Sequence, residues 1–344
     1  MSWLEAELEE QPLALARLLD AQRERAHEIA QVFARDDVRY VLIASRGSSS
    51  NAARYAQYLL GRAHRVPVMF ATPSLYTIYE QPPRLDGAVV VGISQSGASP
   101  DVASVLAEAR RQGRPTVALT NDDDSPLARE ADFVLALEAG LEKAVAATKT
   151  YLNSLGALAL LFAAADGPVA ERELERMPEL VRTQIELSLV SAPPLGDYAE
   201  AIGATVVARG VNYGTAFEIA LKIRELSGLV VEAYSPADLM HGPIAAVRPG
   251  WPVILVAPSG PAQPSVAALV EPLRERGAQI VCVSDAEEIL RQAQTRLPLV
   301  AGVPEWLSPL TAVIPGQVTA LRLARLRGLD VDHPVGLAKV TLTR

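Results

Sequence analysis

An internal repeat constrains the fold of this sequence more than any other feature. Three pairs of segments match in the same order: VLIASRG at 41–47 with TVVARG at 205–210, VVVGISQSG at 89–97 with PVILVAPSG at 252–260, and AEARRQGRPTVALTND at 107–122 with EPLRERGAQIVCVSD at 271–285. Matched residues lie 163 positions apart in the first two pairs and 164 apart in the third. Such self-similarity at a nearly fixed offset predicts two similar halves, which one large doubly wound domain would not explain.

Both halves alternate short apolar runs with helical patterns, which is typical of parallel α/β sheets covered by helices on both faces. We therefore predict two tandem flavodoxin-like, three-layer αβα subdomains. The expected limits are a helical segment at 1–35, a first domain at 36–165, a helical connector at 166–195, a second domain at 196–330 and a tail at 331–344. Within the first half, a serine turn at 48–50 is expected to precede a helix from Asn51, and a long helix is expected at 142–165.

Composition excludes several classes of function. The chain has 344 residues and a net charge of −8, which disfavours a nucleic-acid partner because phosphate neutralisation needs basic surfaces. No run of about eighteen apolar residues occurs, which disfavours a membrane partner. The acidic N-terminus lacks the features of a secretion signal, so we expect a cytoplasmic location. The lone cysteine, Cys282, excludes an internal disulfide and a cysteine-based metal site, and the four histidines have no metal-ligand spacing.

The segment 209–243 carries an unusual set of charged residues. Glu218, Lys222 and Glu225 are spaced i, i+4 and i+7, which places them on one stripe of a predicted helix. His241 follows in a Met-His-Gly-Pro turn. Two carboxylates, an amine and an imidazole within one segment are suited to proton transfer. The alternative is a solvated helix with a Glu–Lys pair and a loop histidine, since such pairs are common on surfaces.

A second motif lies between a predicted strand and a predicted helix of the first half. Ser94, Gln95, Ser96 and Ser99 supply hydroxyl and amide donors there, in a pattern suited to a phosphomonoester. The alternative is an ordinary capped turn, since serine is a favoured helix cap. The chain has neither a Gly-x-Gly-x-x-Gly fingerprint nor a Gly-Lys-Ser/Thr phosphate loop, which disfavours nicotinamide cofactors and nucleoside triphosphates. The serine-rich turns occur in the first half and the charged helix in the second, so we expect one half to bind and the other to react.

Five separated motifs occur in a fixed order along the chain: Ser94-Gln95-Ser96-Gly97, Ala146-Ala147-Thr148-Lys149, the helix 217–225, His241-Gly242-Pro243 and Leu337-Ala338-Lys339. Together they resemble the sugar isomerase (SIS) domain family, and within it the isomerase half of glutamine–fructose-6-phosphate aminotransferases. The resemblance covers nearly the whole chain, from about Val38 to Lys339.

The resemblance implies a role for each matching residue. The residues implied to surround the sugar phosphate are Ser49, Ser94, Gln95, Ser96 and Ser99. Glu225 is the implied base that moves a proton between C1 and C2, with Lys222 and Glu218 supporting it. His241 is implied to assist ring opening in the neighbouring subunit of a homodimer. Lys339 is implied to reach the substrate and to be able to form a Schiff base, and no metal or other cofactor is implied.

The sequence departs from the aminotransferases in ways that bear on the reaction. It begins with its own short helix instead of the glutaminase domain, so we expect no glutamine-dependent synthesis. Ala98-Ser99 replaces the usual Glu-Thr, and His333 replaces the usual Gln of the tail. Two-domain relatives of this kind include glucosamine-6-phosphate deaminases. The expected reaction is therefore conversion of glucosamine 6-phosphate to fructose 6-phosphate and ammonia. The alternatives are isomerase, galactosamine-type deaminase or deglycase activity on another phosphosugar, and a non-catalytic sugar-phosphate sensor.

Overall fold

The computed structural model describes residues 1–191 and 195–339. These residues form two compact units. The first unit carries the first repeat and consists of 10–142, 147–178 and 338–339. The second unit carries the second repeat and consists of 1–9, 143–146, 179–191 and 195–337. The predicted connector and tail also include 192–194 and 340–344, which lie outside the described residues.

The helices and strands alternate along most of the chain. The helices are α1 (Trp3–Glu9), α2 (Gln11–Phe33), α3 (Gly47–His64), α4 (Ser74–Thr77), α5 (Pro100–Arg111), α6 (Pro126–Arg129), α7 (Lys149–Asp166), α8 (Pro168–Glu175), α9 (Met177–Val190), α10 (Gly196–Ala199), α11 (Tyr213–Ser227), α12 (Pro236–Met240), α13 (Gln263–Ala267), α14 (Val270–Glu275), α15 (Glu287–Leu290) and α16 (Pro309–Leu326). The strands are β1 (Tyr40–Ser45), β2 (Val68–Phe70), β3 (Ala88–Ile93), β4 (Thr116–Thr120), β5 (Phe133–Ala136), β6 (Gly203–Val207), β7 (Val230–Tyr234), β8 (Pro252–Val256), β9 (Gln279–Ser284) and β10 (Thr295–Pro298).

Each unit contains one five-stranded sheet whose neighbouring strands all pair in parallel. The strand order is β2-β1-β3-β4-β5 in the first unit and β7-β6-β8-β9-β10 in the second. Both orders are those of a flavodoxin-like fold. In that fold the second strand lies on one side of the first, and the later strands are added on its other side. The repeat in the sequence is therefore a repeat of topology, and the predicted fold class is confirmed.

The second sheet is buried on both faces, which explains why its strands are continuous apolar runs. On one face, Val206 and Ile254 pack into a cluster that contains apolar residues of α11 and α16. On the other face, Val207, Leu255 and Cys282 pack with α13, α14 and α15. Successive side chains of a strand point to opposite faces, so one strand serves both layers. The outcome is the predicted three-layer arrangement.

The first unit follows the same plan. Leu42 and Val90 pack with Val102 and Leu106 of α5 on one face of the sheet. The long helices α2 and α7 pack against each other, and Gly156 allows their close approach. A Cβ at that position would lie 2.5 Å from Leu15 Cδ1, so any larger residue would displace the Leu15 side chain.

Two local predictions in the first unit are wrong. The helix expected from residue 142 begins at Lys149. Residue 142 instead lies in the preceding loop, because its carboxylate accepts hydrogen bonds from the backbone N–H groups of Thr148 and Thr150 at the start of the helix. Residues 48–50 lie in the first turn of α3 and not in a separate turn. Gly47 has a φ of +51°, which lets the chain pass from β1 into the helix without a longer connection.

No helix in residues 1–191 and 195–339 is both long enough and apolar enough to span a bilayer.

Candidate active site

The charged residues of α11 lie together on one buried face of the helix. The side chains of Glu218 and Lys222 are 0% and 2% exposed, whereas that of Glu225 is 23% exposed. Lys222 Nζ lies 3.6 Å from Glu218 Oε1 and donates a hydrogen bond to Glu225 Oε2. The alternative of a solvated helix is therefore wrong, because two of the three charged groups are removed from water.

Burial of these charges is energetically unfavourable unless each has a partner. Two carboxylates here share one ammonium, so the cluster carries an excess negative charge if all three groups are ionised. Breaking such a buried pair typically costs about 3–5 kcal/mol, whereas well-packed apolar residues of similar volume are often as stable or more so. Stability alone thus does not account for the cluster. Clusters of this kind are common at sites that move protons.

Glu225 is the member of the cluster that reaches open space. It lines a cavity of about 330 Å³ together with Arg224 and Leu226 of the same helix. Gly228, which has a φ of +71° and ends the helix in a left-handed conformation, forms part of the same wall. The cavity is also lined by residues that follow α16, namely Leu329, Asp330, Pro334, Val335 and Leu337. The volume is within the range of small-molecule sites.

The segment after α16 that lines the cavity is attached to the N-terminal helix. The Asp332 carboxylate accepts hydrogen bonds of 2.9 Å from the backbone N–H groups of both Trp3 and Leu4. The rings of Trp3 and His333 are in edge contact, with centroids 5.2 Å apart. Because the first N–H groups of a helix have no acceptor within the helix, Asp332 both caps α1 and fixes the wall of the cavity.

The serine-rich loop of the first unit connects β3 to α5. Ser94 Oγ and Ser99 Oγ lie 3.5 Å apart, and Ser96 Oγ accepts a hydrogen bond from Ala98 N. Gly97 has a φ of +60°, and a Cβ there would lie 2.0 Å from Ser125 Oγ, so only glycine fits. Within the described residues, no protein acceptor binds the backbone N–H groups of Gln95 or Ser96. The loop therefore offers hydroxyl and N–H donors that are available to an anion.

Two further residues lie beside this loop, and the sequence analysis did not identify them as part of a site. Arg46, at the end of β1, donates through Nε to Asp101 Oδ2 at 2.7 Å. The Asp101 side chain is 1% exposed and that of Arg46 is 51% exposed. Asp101 is the second residue of α5, so the guanidinium group lies at the same helix N-terminus as Ser99. Ser49, the remaining residue expected near the phosphate, lies in the first turn of α3.

The counterpart of the serine-rich loop in the second unit is filled by carboxylates of the protein itself. Ser259 N donates to Asp285 Oδ1 at 2.7 Å, and Ala262 N donates to Glu305 Oε1 at 3.0 Å. Glu305 packs so closely that a Cβ on Gly260 would lie 2.6 Å from its Cγ. The two loops are equivalent in topology, but in the second the N–H groups of Ser259 and Ala262 are already occupied.

The remaining two expected site residues are Lys339 and His241. Lys339 Nζ lies 2.7 Å from Glu142 Oε2, in the first unit. His241 ends α12 in the second unit and is exposed, and its backbone N–H donates to Ala237 O. The structure thus brings Glu218, Lys222 and Glu225 together, and it pairs Lys339 with Glu142, a residue that the sequence analysis missed. The serine-rich loop and the charged helix belong to different units.

The sequence and the fold were compared with those of known proteins. The model of the SIS domain matches residues 34–164 and 199–327. Glutamine–fructose-6-phosphate aminotransferase of Thermus thermophilus is 34% identical over 348 residues. That alignment covers 97% of this chain and 57% of the relative, so the chain spans little more than half the length of the curated relatives that it matches.

Two solved structures resemble the fold over nearly their whole length. The C-terminal domain of glucosamine-fructose-6-phosphate aminotransferase from Francisella tularensis has a TM-score of 0.84 at 25% identity, and the match covers 97% of this chain and 98% of that one. Glucosamine-6-phosphate deaminase from Thermotoga maritima has a TM-score of 0.78 at 22% identity, and the match covers 99% and 100%. At that identity the second likeness shows a shared fold alone.

Proposed function

The chain belongs to the SIS domain family, and we propose that it is an amino-sugar phosphate deaminase and isomerase that converts glucosamine 6-phosphate and water to fructose 6-phosphate and ammonia. The observation that carries this proposal is the charge cluster of α11. Lys222 is buried between Glu218 and Glu225, and Glu225 lines a cavity of the size of a small ligand.

The proposed reaction needs one group that accepts and returns a proton. Opening of the sugar ring exposes the C1 aldehyde, which makes the C2 proton acidic. Glu225 removes that proton and delivers it to C1, while the C1 oxygen gains a proton to become a hydroxyl group and the C2 amino group loses one to become an imine. Water adds to the imine carbon and ammonia leaves, which gives the C2 ketone. Lys222 can stabilise the negative charge that develops on the substrate oxygen, while Glu218 holds the ammonium in place.

The other expected site residues also have proposed roles in this reaction. Donors of the serine-rich loop (Ser94, Gln95, Ser96 and Ser99) and Ser49 bind the phosphate of the substrate. Lys339 contacts the open-chain sugar. His241 assists ring opening, and we propose that it does so in the neighbouring subunit of a homodimer, which its exposed position permits. We propose that the reaction takes place in the cytoplasm. We retain 36–165 and 196–330 as the proposed domain limits.

One assay tests the reaction directly. The protein is incubated without glutamine, first with glucosamine 6-phosphate and then with galactosamine 6-phosphate, and ammonia and ketose phosphate are measured together. Equal amounts of both products from one substrate are expected. Ketose phosphate without ammonia would reduce the proposal to a plain phosphosugar isomerase. Binding of the sugar phosphate without either product would favour a sensor.

A further inference from the structure

Lysine is rare in this chain, and its few positions are informative. The sequence has four lysines among 32 basic residues, so nearly all of its positive charge is carried by arginine. Lys149, Lys222 and Lys339 each form an ion pair with a carboxylate. Lys143 instead lies over the ring of Trp3. An amine differs from a guanidinium in that it can lose its proton and act as a nucleophile, so a lysine in an arginine-rich chain marks a place where that difference can matter.

We propose that Glu142 is a positioning residue that holds the Lys339 amine for its part in the reaction proposed above, on which this inference rests. Glu142 lies outside the five motifs that carry the family resemblance, although it contacts two of them, and it is 197 residues from Lys339 in sequence. Its side chain is 0% exposed, whereas that of Lys339 is 24% exposed. The carboxylate is thus a fixed internal anchor, and the lysine is the member of the pair that can meet a ligand.

The Glu142 carboxylate is fixed by several hydrogen bonds. Its Oε1 accepts from the backbone N–H groups of Thr148 and Thr150 at 3.0 and 3.1 Å. Its Oε2 accepts from the Thr150 hydroxyl at 2.6 Å and from Lys339 Nζ at 2.7 Å. Hydrogen bonds to an ionised carboxylate are among the stronger ones in proteins, and four of them leave the group one orientation.

The loop that carries Glu142 is itself anchored. Lys149, whose side chain is 3% exposed, donates through Nζ to the Leu141 carbonyl at 2.6 Å and to Glu10 Oε2 at 2.5 Å. Asn121 donates through Nδ2 to the Gly140 carbonyl at 2.8 Å. The position of Glu142 is therefore determined by its neighbours on both sides and does not depend on the ion pair with Lys339.

An anchor of this kind matters for a lysine near the end of a chain. Ordering a mobile lysine side chain costs conformational entropy, which a reaction that needs the amine in one place would otherwise have to overcome. Reactive groups must be held near their productive positions, and small displacements are costly to the rate. Glu142 supplies this order before the substrate arrives.

The test compares wild type with Glu142→Gln, which keeps the size of the side chain and removes its charge. Two measurements are made: steady-state kinetics of ammonia release, and the rate at which each lysine is acetylated by acetic anhydride, followed by peptide mass spectrometry. We expect kcat to fall by about tenfold or more while KM changes little, because the phosphate-binding loop is untouched. We also expect Lys339 to be acetylated several-fold faster, since its ammonium no longer has an ionised partner, whereas Lys149 and Lys222 keep their wild-type rates.

Glu138→Gln is the matched control, because Glu138 lies in the same loop and bonds to Gln22 instead of a lysine. It should leave both measurements near wild type. If Glu142→Gln does not fold, Thr150→Val is used in its place. This variant removes one hydrogen bond to Glu142 Oε2 and keeps the carboxylate, so we expect a smaller fall in kcat. Unchanged acetylation of Lys339 in Glu142→Gln would overturn the inference, as would unchanged kcat with faster acetylation. If wild type releases no ammonia, the proposed function fails, and the acetylation rates still decide whether Glu142 holds Lys339.

Discussion

Glu225 and Lys222 differ in burial although they are neighbours on one helix face. The Lys222 ammonium is enclosed, and its position is set by carboxylates on both sides. Glu225 has one side toward Lys222 and one toward the cavity. A group that carries a proton to and from a ligand needs such access, whereas a group that stabilises charge needs a fixed position. The difference in burial therefore suits the two separate tasks proposed for Glu225 and Lys222, which the spacing in the sequence placed on one stripe without distinguishing them.

Replacement of Glu225 by Gln should abolish turnover and preserve binding. The amide has the size of the carboxylate but cannot accept the C2 proton, so we expect kcat to fall by about 10²–10⁴-fold. Calorimetric titration with glucosamine 6-phosphate should give nearly the wild-type affinity. Glu232→Gln is the control, because Glu232 is exposed on β7 and does not line the cavity. Loss of binding together with turnover would contradict the role of Glu225 as a base.

The stability that Glu142 contributes should depend on pH in a defined direction. Burial by itself would raise the pKa of Glu142, but the Lys339 ammonium and the hydrogen bonds from Thr150 and Thr148 outweigh it and hold the pKa below its ordinary value. A carboxyl group whose pKa is lower in the folded state stabilises that state above its unfolded pKa and loses this contribution as the pH falls through the folded pKa.

Chemical denaturation of wild type and Glu142→Gln across pH measures this contribution. The difference in free energy of unfolding should be constant near neutral pH and should shrink as the pH drops below about 4, the ordinary range of a glutamate. A difference that stays constant into acid would mean that Glu142 is not ionised in the folded protein.

At the scale of elements, the two loops that follow β3 and β8 are the clearest case of divergence between the halves. The loop after β3 leaves N–H groups without a protein acceptor among the described residues, and the loop after β8 directs its N–H groups to Asp285 and Glu305. Glu305 lies in a short 3₁₀ turn that leads into α16, the helix that packs against α11. The carboxylate thus connects the loop to the helix layer that supports the charge cluster.

Removal of the Glu305 carboxylate should destabilise the protein. In Glu305→Ala the N–H group of Ala262 loses its acceptor in a partly buried position, which we expect to cost about 1–3 kcal/mol. Urea denaturation measures the change. Glu287→Ala is the control, because Glu287 forms an exposed pair with Arg291 on α15 and such pairs contribute little. Equal stability of the two variants would mean that Glu305 does not hold the loop.

Much of this architecture could be predicted from the sequence, for a physical reason. Parallel strands are buried on both faces, so β3 and β8 are continuous apolar runs. These two runs occupy matching positions in the sequence repeat. The start of α7 could not be predicted in this way. The residues from Glu142 onward have a composition typical of helices. The first residue of the helix depends instead on the hydrogen bonds that the Glu142 carboxylate accepts from the N–H groups of Thr148 and Thr150. The same holds for the pair of Glu142 with Lys339, because no local pattern joins residues so distant in sequence.

At the scale of the whole molecule, the proposed homodimer makes each site dependent on a residue of the other subunit. His241 is exposed in the single chain, in contrast to Glu218 and Lys222. If it serves the neighbouring site, a mixture of two inactive variants can restore activity. A dimer of one His241→Ala subunit and one Glu225→Gln subunit would contain one site with both Glu225 and His241 intact.

Co-refolding of His241→Ala with Glu225→Gln in equal amounts measures this dependence. Random pairing gives half mixed dimers with one intact site each, so we expect about a quarter of the wild-type activity for a twofold-symmetric dimer. Each variant refolded alone provides the baseline. If the mixture stays at that baseline although mixed dimers are detected by native mass spectrometry, His241 acts within its own subunit.

The carboxylates at the loop after β8 have a consequence for how many ligands a duplicated fold can hold. A tethered side chain acts at an effective concentration of the order of millimolar or more, so a dissolved anion competes for that loop at a disadvantage. In the loop after β3, the N–H groups of Gln95 and Ser96 have no protein acceptor within residues 1–191 and 195–339, so an anion from solution can meet these donors directly. Although the chain contains the same α/β plan twice, we therefore expect it to bind sugar phosphate with a stoichiometry of one, since the second copy carries its own counter-ion.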